Sequence, residues 1–232
     1  RTHFAEWMPN TARFFAQGAI FDQHFSASEY TYPSLSTIET GMYPHHNQIF
    51  NDTLAVLLNP AYIPLSERMR TCGYATANLM GEGSGIYNGA TCGFDRLVIA
   101  PYHLFAHEAA ERTIRYLEGL RDADHFIYLH TLDAHPWPYP RFQITASTQA
   151  RLPLEERLSG AKSNSPSPYL QSTKLSMAAY IQGIRDLDRA LGTLFSYLEQ
   201  HYTPDEYLVS LYSDHGVPIF SKHHYIVSPD MT

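Results

Sequence analysis

An α/β fold, with a mostly parallel central sheet flanked by helices on both faces, is predicted by three successive pairings of a helical pattern with a short apolar run. Leu65–Gly73 leads into Tyr74–Leu79, Leu104–Leu120 into Phe126–Leu129, and Ser172–Tyr202 into Tyr207–Tyr212. With 232 residues, 44% of them hydrophobic and 17% charged, the chain can bury one sizeable core and needs no second domain.

The elements follow in order. Met8–Phe21 reads as a helix and a following strand, opened by Pro9-Asn10 and stopped by Gly18. Thr31-Tyr32-Pro33-Ser34-Leu35 begins a second helix, with Pro33 in its first turn and Gly41 at its end, where a left-handed residue is wanted. Asn51–Pro64 has loop character, and Leu65–Cys72 is a short helix that stops at Gly73 before the strand Tyr74–Leu79. Ala109, Ile114, Leu117 and Leu120 form one apolar stripe on the helix of Leu104–Leu120. Gln143–Gln171, rich in Ser, Pro and polar groups, reads as a long loop or lid. Leu175, Ala178, Ile181, Leu187, Leu191, Leu194 and Leu198 mark a long helix, in which Asp186 and Asp188 have solvated or capping roles.

Composition excludes some functions. A net charge of −7 with 16 Lys+Arg and no basic cluster argues against nucleic acid as a partner. No apolar run approaches membrane-spanning length. Cys72 and Cys92 make neither a zinc site nor a redox motif; they either pair in an oxidising compartment or remain two buried thiols.

Two stretches carry chemistry. Thr31 lies at a helix start, where several unpaired backbone N–H groups and the positive end of the helix dipole would hold a tetrahedral anion beside its hydroxyl. Ser213-Asp214-His215-Gly216 follows the run Tyr207–Tyr212 at what would be the carboxyl edge of a parallel sheet, where ligands collect. A carboxylate beside an imidazole, with a third ligand from another strand, suits a divalent metal with one position open to substrate.

Together these residues resemble the sulfatase family of the alkaline-phosphatase superfamily. Thr31 falls on the family's Cys or Ser nucleophile, Pro33-Ser34 on its Pro-Ser, and Thr40-Gly41-Met42-Tyr43-Pro44-His45 on the close of the signature, without insertion or deletion. Ser213-Asp214-His215-Gly216 matches a later motif of the superfamily. The family's Arg is Leu35 here, and Met80-Gly81-Glu82-Gly83 stands where sulfatases have Gly-Lys-Trp-His. An unmodified Thr is instead the nucleophile of the phosphoethanolamine and phosphoglycerol transferases of the same superfamily.

The resemblance implies an alkaline-phosphatase-like fold and a single catalytic domain over residues 1–232, with a first strand before Arg1 bearing another metal carboxylate and a subdomain after Thr232. It implies a metal-dependent hydrolase of sulfate or phosphate esters, or a transferase, with Thr31 and His135 catalytic. Thr31, Asp214 and His215 would hold a divalent ion (Ca, Mn or Zn), and His130, Lys222 and His223 would bind substrate. The substrate would be a small-molecule, glycan-linked or lipid-linked ester, met outside the cytoplasm or at a membrane. An inactive sulfatase-fold binding protein is the rival from outside catalysis.

Overall fold

The computed structural model describes residues 3–21, 23–52, 56–81, 87–100, 104–134 and 174–216. Three parallel strands form the sheet among them: β1 (Ala75–Gly81), β2 (Arg96–Ala100) and β3 (His125–Leu129), in the order β2-β1-β3. β1 is central, with Asn78 opposite Leu97 on one side and Tyr128 on the other. Side chains alternate across the sheet, so Ala77 and Leu79 of β1 face one way and Asn78 and Met80 the other.

The first face is covered by α7 (Ala106–Gly119), through a core of Ala77, Leu79, Ala100, Leu104 and Ala109. The second is covered by α3 (Thr31–Thr40) and the single turn α6 (Asn88–Thr91), through Leu35, Met80 and Ala90. Leu35, the residue that replaces the family's Arg, is therefore a core side chain. α8 (Lys174–His201) packs on α7 and also on α2 (Pro9–Phe14), where Phe14 stacks on Phe195 at 4.0 Å. Helices thus flank both faces of the parallel sheet, as the sequence predicts. The remaining α-helices among the described residues are α1 (Phe4–Trp7), α4 (Pro44–Asn47) and α5 (Leu65–Thr71), and a 3₁₀ turn, Phe15–Gln17, follows α2.

Punctuation residues behave as read. Gly41 closes α3 at φ 68°, and its N–H returns to Thr37 O. Gly93, at φ 87°, admits no side chain, since a Cβ would lie 2.7 Å from both Ser66 Oγ and the Glu67 nitrogen. The turn it makes delivers Asp95 to Thr76, whose N–H and hydroxyl both reach Asp95 Oδ2.

Two expected strands do not form. Neither the stretch after Gly18 nor Tyr207–Tyr212 enters the sheet. Phe21 is 82% exposed and Leu208 93% exposed, so an apolar run without a ladder partner stays irregular here. Strand β2 was not foreseen, because Gly93-Phe94-Asp95 reads only as a turn. The Gln143–Gln171 stretch lies outside the described residues. Cys72 and Cys92 are free thiols, and burial pushes the Cys92 thiol up. No helix among the described residues is long and apolar enough to cross a membrane.

Long-range polar clamps hold the layers. Asp188 of α8 is 1% exposed and accepts four hydrogen bonds, from the N–H and side chain of both Asn10 and Thr11, at 2.8–3.1 Å. Gly192, one turn later, leaves room for Asn10, whose side chain would meet a Cβ at 2.9 Å. Asp133, just past β3, accepts the Ala106 N–H at the start of α7.

Burial raises the Asp133 carboxyl to about 6 and the Glu39 carboxyl above its ordinary value. Both groups bind their proton more tightly folded than unfolded, so each contributes stability at low pH that is lost as pH rises through its folded pKa, which for Asp133 is about 6. For Asp133 that loss is on the order of 2–3 kcal/mol. Stability measured by denaturant melts should fall between pH 4 and 7, and Asp133→Asn should flatten the fall. A slope unchanged in that variant would show that Asp133 is not its source. Glu39→Gln keeps an acceptor for the Ser66 N–H and removes the buried charge, so its Tm at pH 8 should exceed that of the parent protein.

Candidate active site

Residues from both ends of the described chain converge at the carboxyl edge of the sheet. Thr31, the first residue of α3, places Oγ1 3.1 Å from His215 Nε2, 184 residues away. His215 Nε2 lies 3.5 Å from Asp214 Oδ2, and the same oxygen is 3.9 Å from Nε2 of His130, the residue following β3. The four predicted site residues that the structure describes, Thr31, His130, Asp214 and His215, therefore meet. His135, Lys222 and His223 lie outside the described residues.

The His215 tautomer follows from its surroundings. Nδ1 is 3.0 Å from the Gly216 carbonyl, which can only accept, so Nδ1 carries the proton. Nε2 then presents its lone pair to Thr31 and Asp214. Two acceptors, imidazole nitrogen and carboxylate oxygen, face each other at 3.5 Å with the Thr31 hydroxyl beside them. Nitrogen and oxygen donors about 2.1 Å from a shared ion sit roughly 3.4 Å apart at tetrahedral angles, so this set fits a divalent cation. Among the described residues no group of three His, Cys, Asp or Glu has metal-holding geometry, and the third donor here is a hydroxyl.

His130 closes the floor of the site. Burial lowers its pKa, an effect offset by Asp214, and its Nδ1 has no partner among the described residues. Tyr128, two residues earlier in β3, is pushed well up by burial and hydrogen-bonds Tyr212, which fixes the chain just before Asp214. Nothing in the apolar run Tyr207–Tyr212 reveals this tyrosine pair, because it needs β3 as its other half.

One expectation is corrected. The start of α3 does not offer several unpaired N–H groups. Tyr30 N–H goes to Ser28 Oγ at 3.1 Å, Tyr32 N–H goes to Asp52 Oδ1 at 2.8 Å, and Pro33 has none. The next N–H, that of Ser34, returns to Tyr30 O at 3.3 Å. Asp52 is a residue the sequence reading passed over, since Asn51–Pro64 has loop character and nothing in it points back to α3.

A parallel sheet with helices on both faces and a Thr, Asp and His at its carboxyl edge defines an alkaline-phosphatase-like α/β protein. The Sulfatase family model matches residues 3–228, and the chain belongs to that family. No curated protein matches it. Among solved structures it is similar to the yidJ protein of Bacteroides fragilis (TM-score 0.60, 14% identity, 84% of this chain and 53% of that one). It is also similar to the phosphonate monoester hydrolase of Agrobacterium radiobacter (0.58, 20%, 83% and 54%). A third is the lipoteichoic acid synthase LtaP of Listeria monocytogenes (0.56, 13%, 84% and 47%). The chain spans about half the length of these proteins.

Proposed function

We propose that this chain carries the nucleophile and part of the metal site of a divalent-metal-dependent hydrolase of sulfate or phosphate esters. The observation that carries the reading is that His215 Nε2 lies 3.1 Å from Thr31 Oγ1 and 3.5 Å from Asp214 Oδ2. Asp214, His215 and Thr31 would hold the ion, and a nitrogen donor favours Mn or Zn over Ca. When bound, the ion supplies Lewis-acid stabilisation of charge on the ester and on the nucleophile.

The chain's own residues do the rest. Thr31 releases its hydroxyl proton to solvent and its Oγ1 attacks phosphorus or sulfur in line, the bond to the leaving oxygen breaks, and a Thr31 ester remains for water to cleave. His215 is oriented by its Nδ1 bond to Gly216, and Asp214 by its place beside the Tyr128–Tyr212 pair. His130, neutral at pH 7, contacts the ester from the floor of the site. His135 protonates the leaving oxygen, and Lys222 and His223 bind the ester's anionic end. A threonine cannot yield formylglycine, which favours phosphate or phosphonate esters over sulfate esters. Resolution of the Thr31 ester by an alcohol instead of water would make the protein a transferase. An acidic net charge of −7 agrees with small-molecule, glycan or lipid-linked esters in preference to nucleic acid.

The test is metal-linked stability together with turnover. Mn²⁺ at about 100 times its Kd should add roughly 2.7 kcal/mol of stability, and Asp214→Asn should abolish the gain. Comparison of bis(p-nitrophenyl) phosphate with p-nitrophenyl sulfate then assigns the ester. No Mn²⁺ or Zn²⁺ stabilisation and no turnover of either would leave a binding protein built on this fold.

A further inference from the structure

We propose that Asp52 sets the charge of the ester this site accepts. Its carboxylate takes the Tyr32 N–H, and by doing so it disfavours ligands with a second negative charge. The inference rests on the reading of Thr31 as nucleophile.

Tyr32 is adjacent to Thr31, and Asp52 Oδ1 is 2.8 Å from its backbone nitrogen. Covalent geometry then puts the carboxylate within about 7 Å of Thr31 Oγ1. A helix start ordinarily favours anions through its free N–H groups and dipole. Here the chain's own anion occupies that position, one residue from the attacking oxygen.

Tyr32 cannot turn away from Asp52. It is 1% exposed, its ring stacks on Tyr87 at 4.5 Å, and its hydroxyl donates to Val56 O and accepts from the Gly89 N–H. The N–H is thereby aimed, and Asp52, exposed on the loop after α4, is drawn to it. A phosphate monoester brings two negative charges to this place at pH 8. A phosphodiester, phosphonate monoester or sulfate ester brings one. Screening by solvent reduces the discrimination by an exposed carboxylate to about fivefold per added charge.

The test is calorimetric titration of the Mn²⁺-loaded protein at pH 8 with inorganic phosphate, a dianion, and with methyl sulfate, a monoanion. Asp52→Asn keeps an oxygen acceptor for the Tyr32 N–H and removes only the charge. Methyl sulfate should bind about fivefold tighter to this variant and phosphate about 25-fold tighter, so that the phosphate-to-methyl-sulfate ratio rises about fivefold, and Asp52→Ala should show the same bias. A phosphate-to-methyl-sulfate ratio unchanged in Asp52→Asn overturns the assignment. A raised ratio supports it whether or not esters are turned over, so absent turnover counts only against the hydrolase reading.

Discussion

Replacing Thr31 by Ala is expected to lower turnover of the preferred ester by at least about 10³-fold while lowering Tm by no more than about 4 °C. The side chain is part-buried and, among the described residues, hydrogen-bonds His215, so the fold loses on the order of 1 kcal/mol. Thr31→Ser keeps a hydroxyl at the same place and should recover much of the rate. Steady-state kinetics beside calorimetry separates the two effects. Full activity in the Ala variant would show that another group attacks the ester, and the Thr31–His215 contact would then be structural.

The largest stability effect belongs to Asp188. Asp188→Ala strands two backbone N–H groups and two side-chain donors of Asn10 and Thr11 in the interior, a loss of about 4 kcal/mol, or roughly 10 °C in Tm. Asn is no rescue. It has one acceptor oxygen, and its NH₂ would face a donor where the second carboxylate oxygen now accepts. Asp188→Asn should therefore lose nearly as much as Asp188→Ala. An Asn variant as stable as the parent would mean that the charge and the second oxygen contribute little.

Local signals made part of this architecture legible. Pro33 and Gly41 bound α3 because each fixes a backbone angle that the helix start and stop require, and those angles are set by the residue itself. The helices Ala106–Gly119 and Lys174–His201 were readable because their apolar stripes repeat along one element. Tyr207–Tyr212 misled, because an apolar run states only that a segment can be a strand and not whether a neighbour will pair with it. Of the site, Thr31, Asp214 and His215 were legible through motif resemblance. Asp52 and the Tyr128–Tyr212 pair were not, since each works through a partner from a distant part of the chain, and periodicity carries no information about such partners. Asp188 was half legible: a capping role could be read, but not that it caps α2.

The contact between Thr31 and His215 spans 184 residues, and the Asp188 clamp spans 177–178. Closing chain loops of that size is entropically slow, whereas helices form locally and early. On refolding, far-ultraviolet dichroism should therefore recover well before ester turnover, which makes enzymatic rate a reporter of the last long-range closure in this molecule.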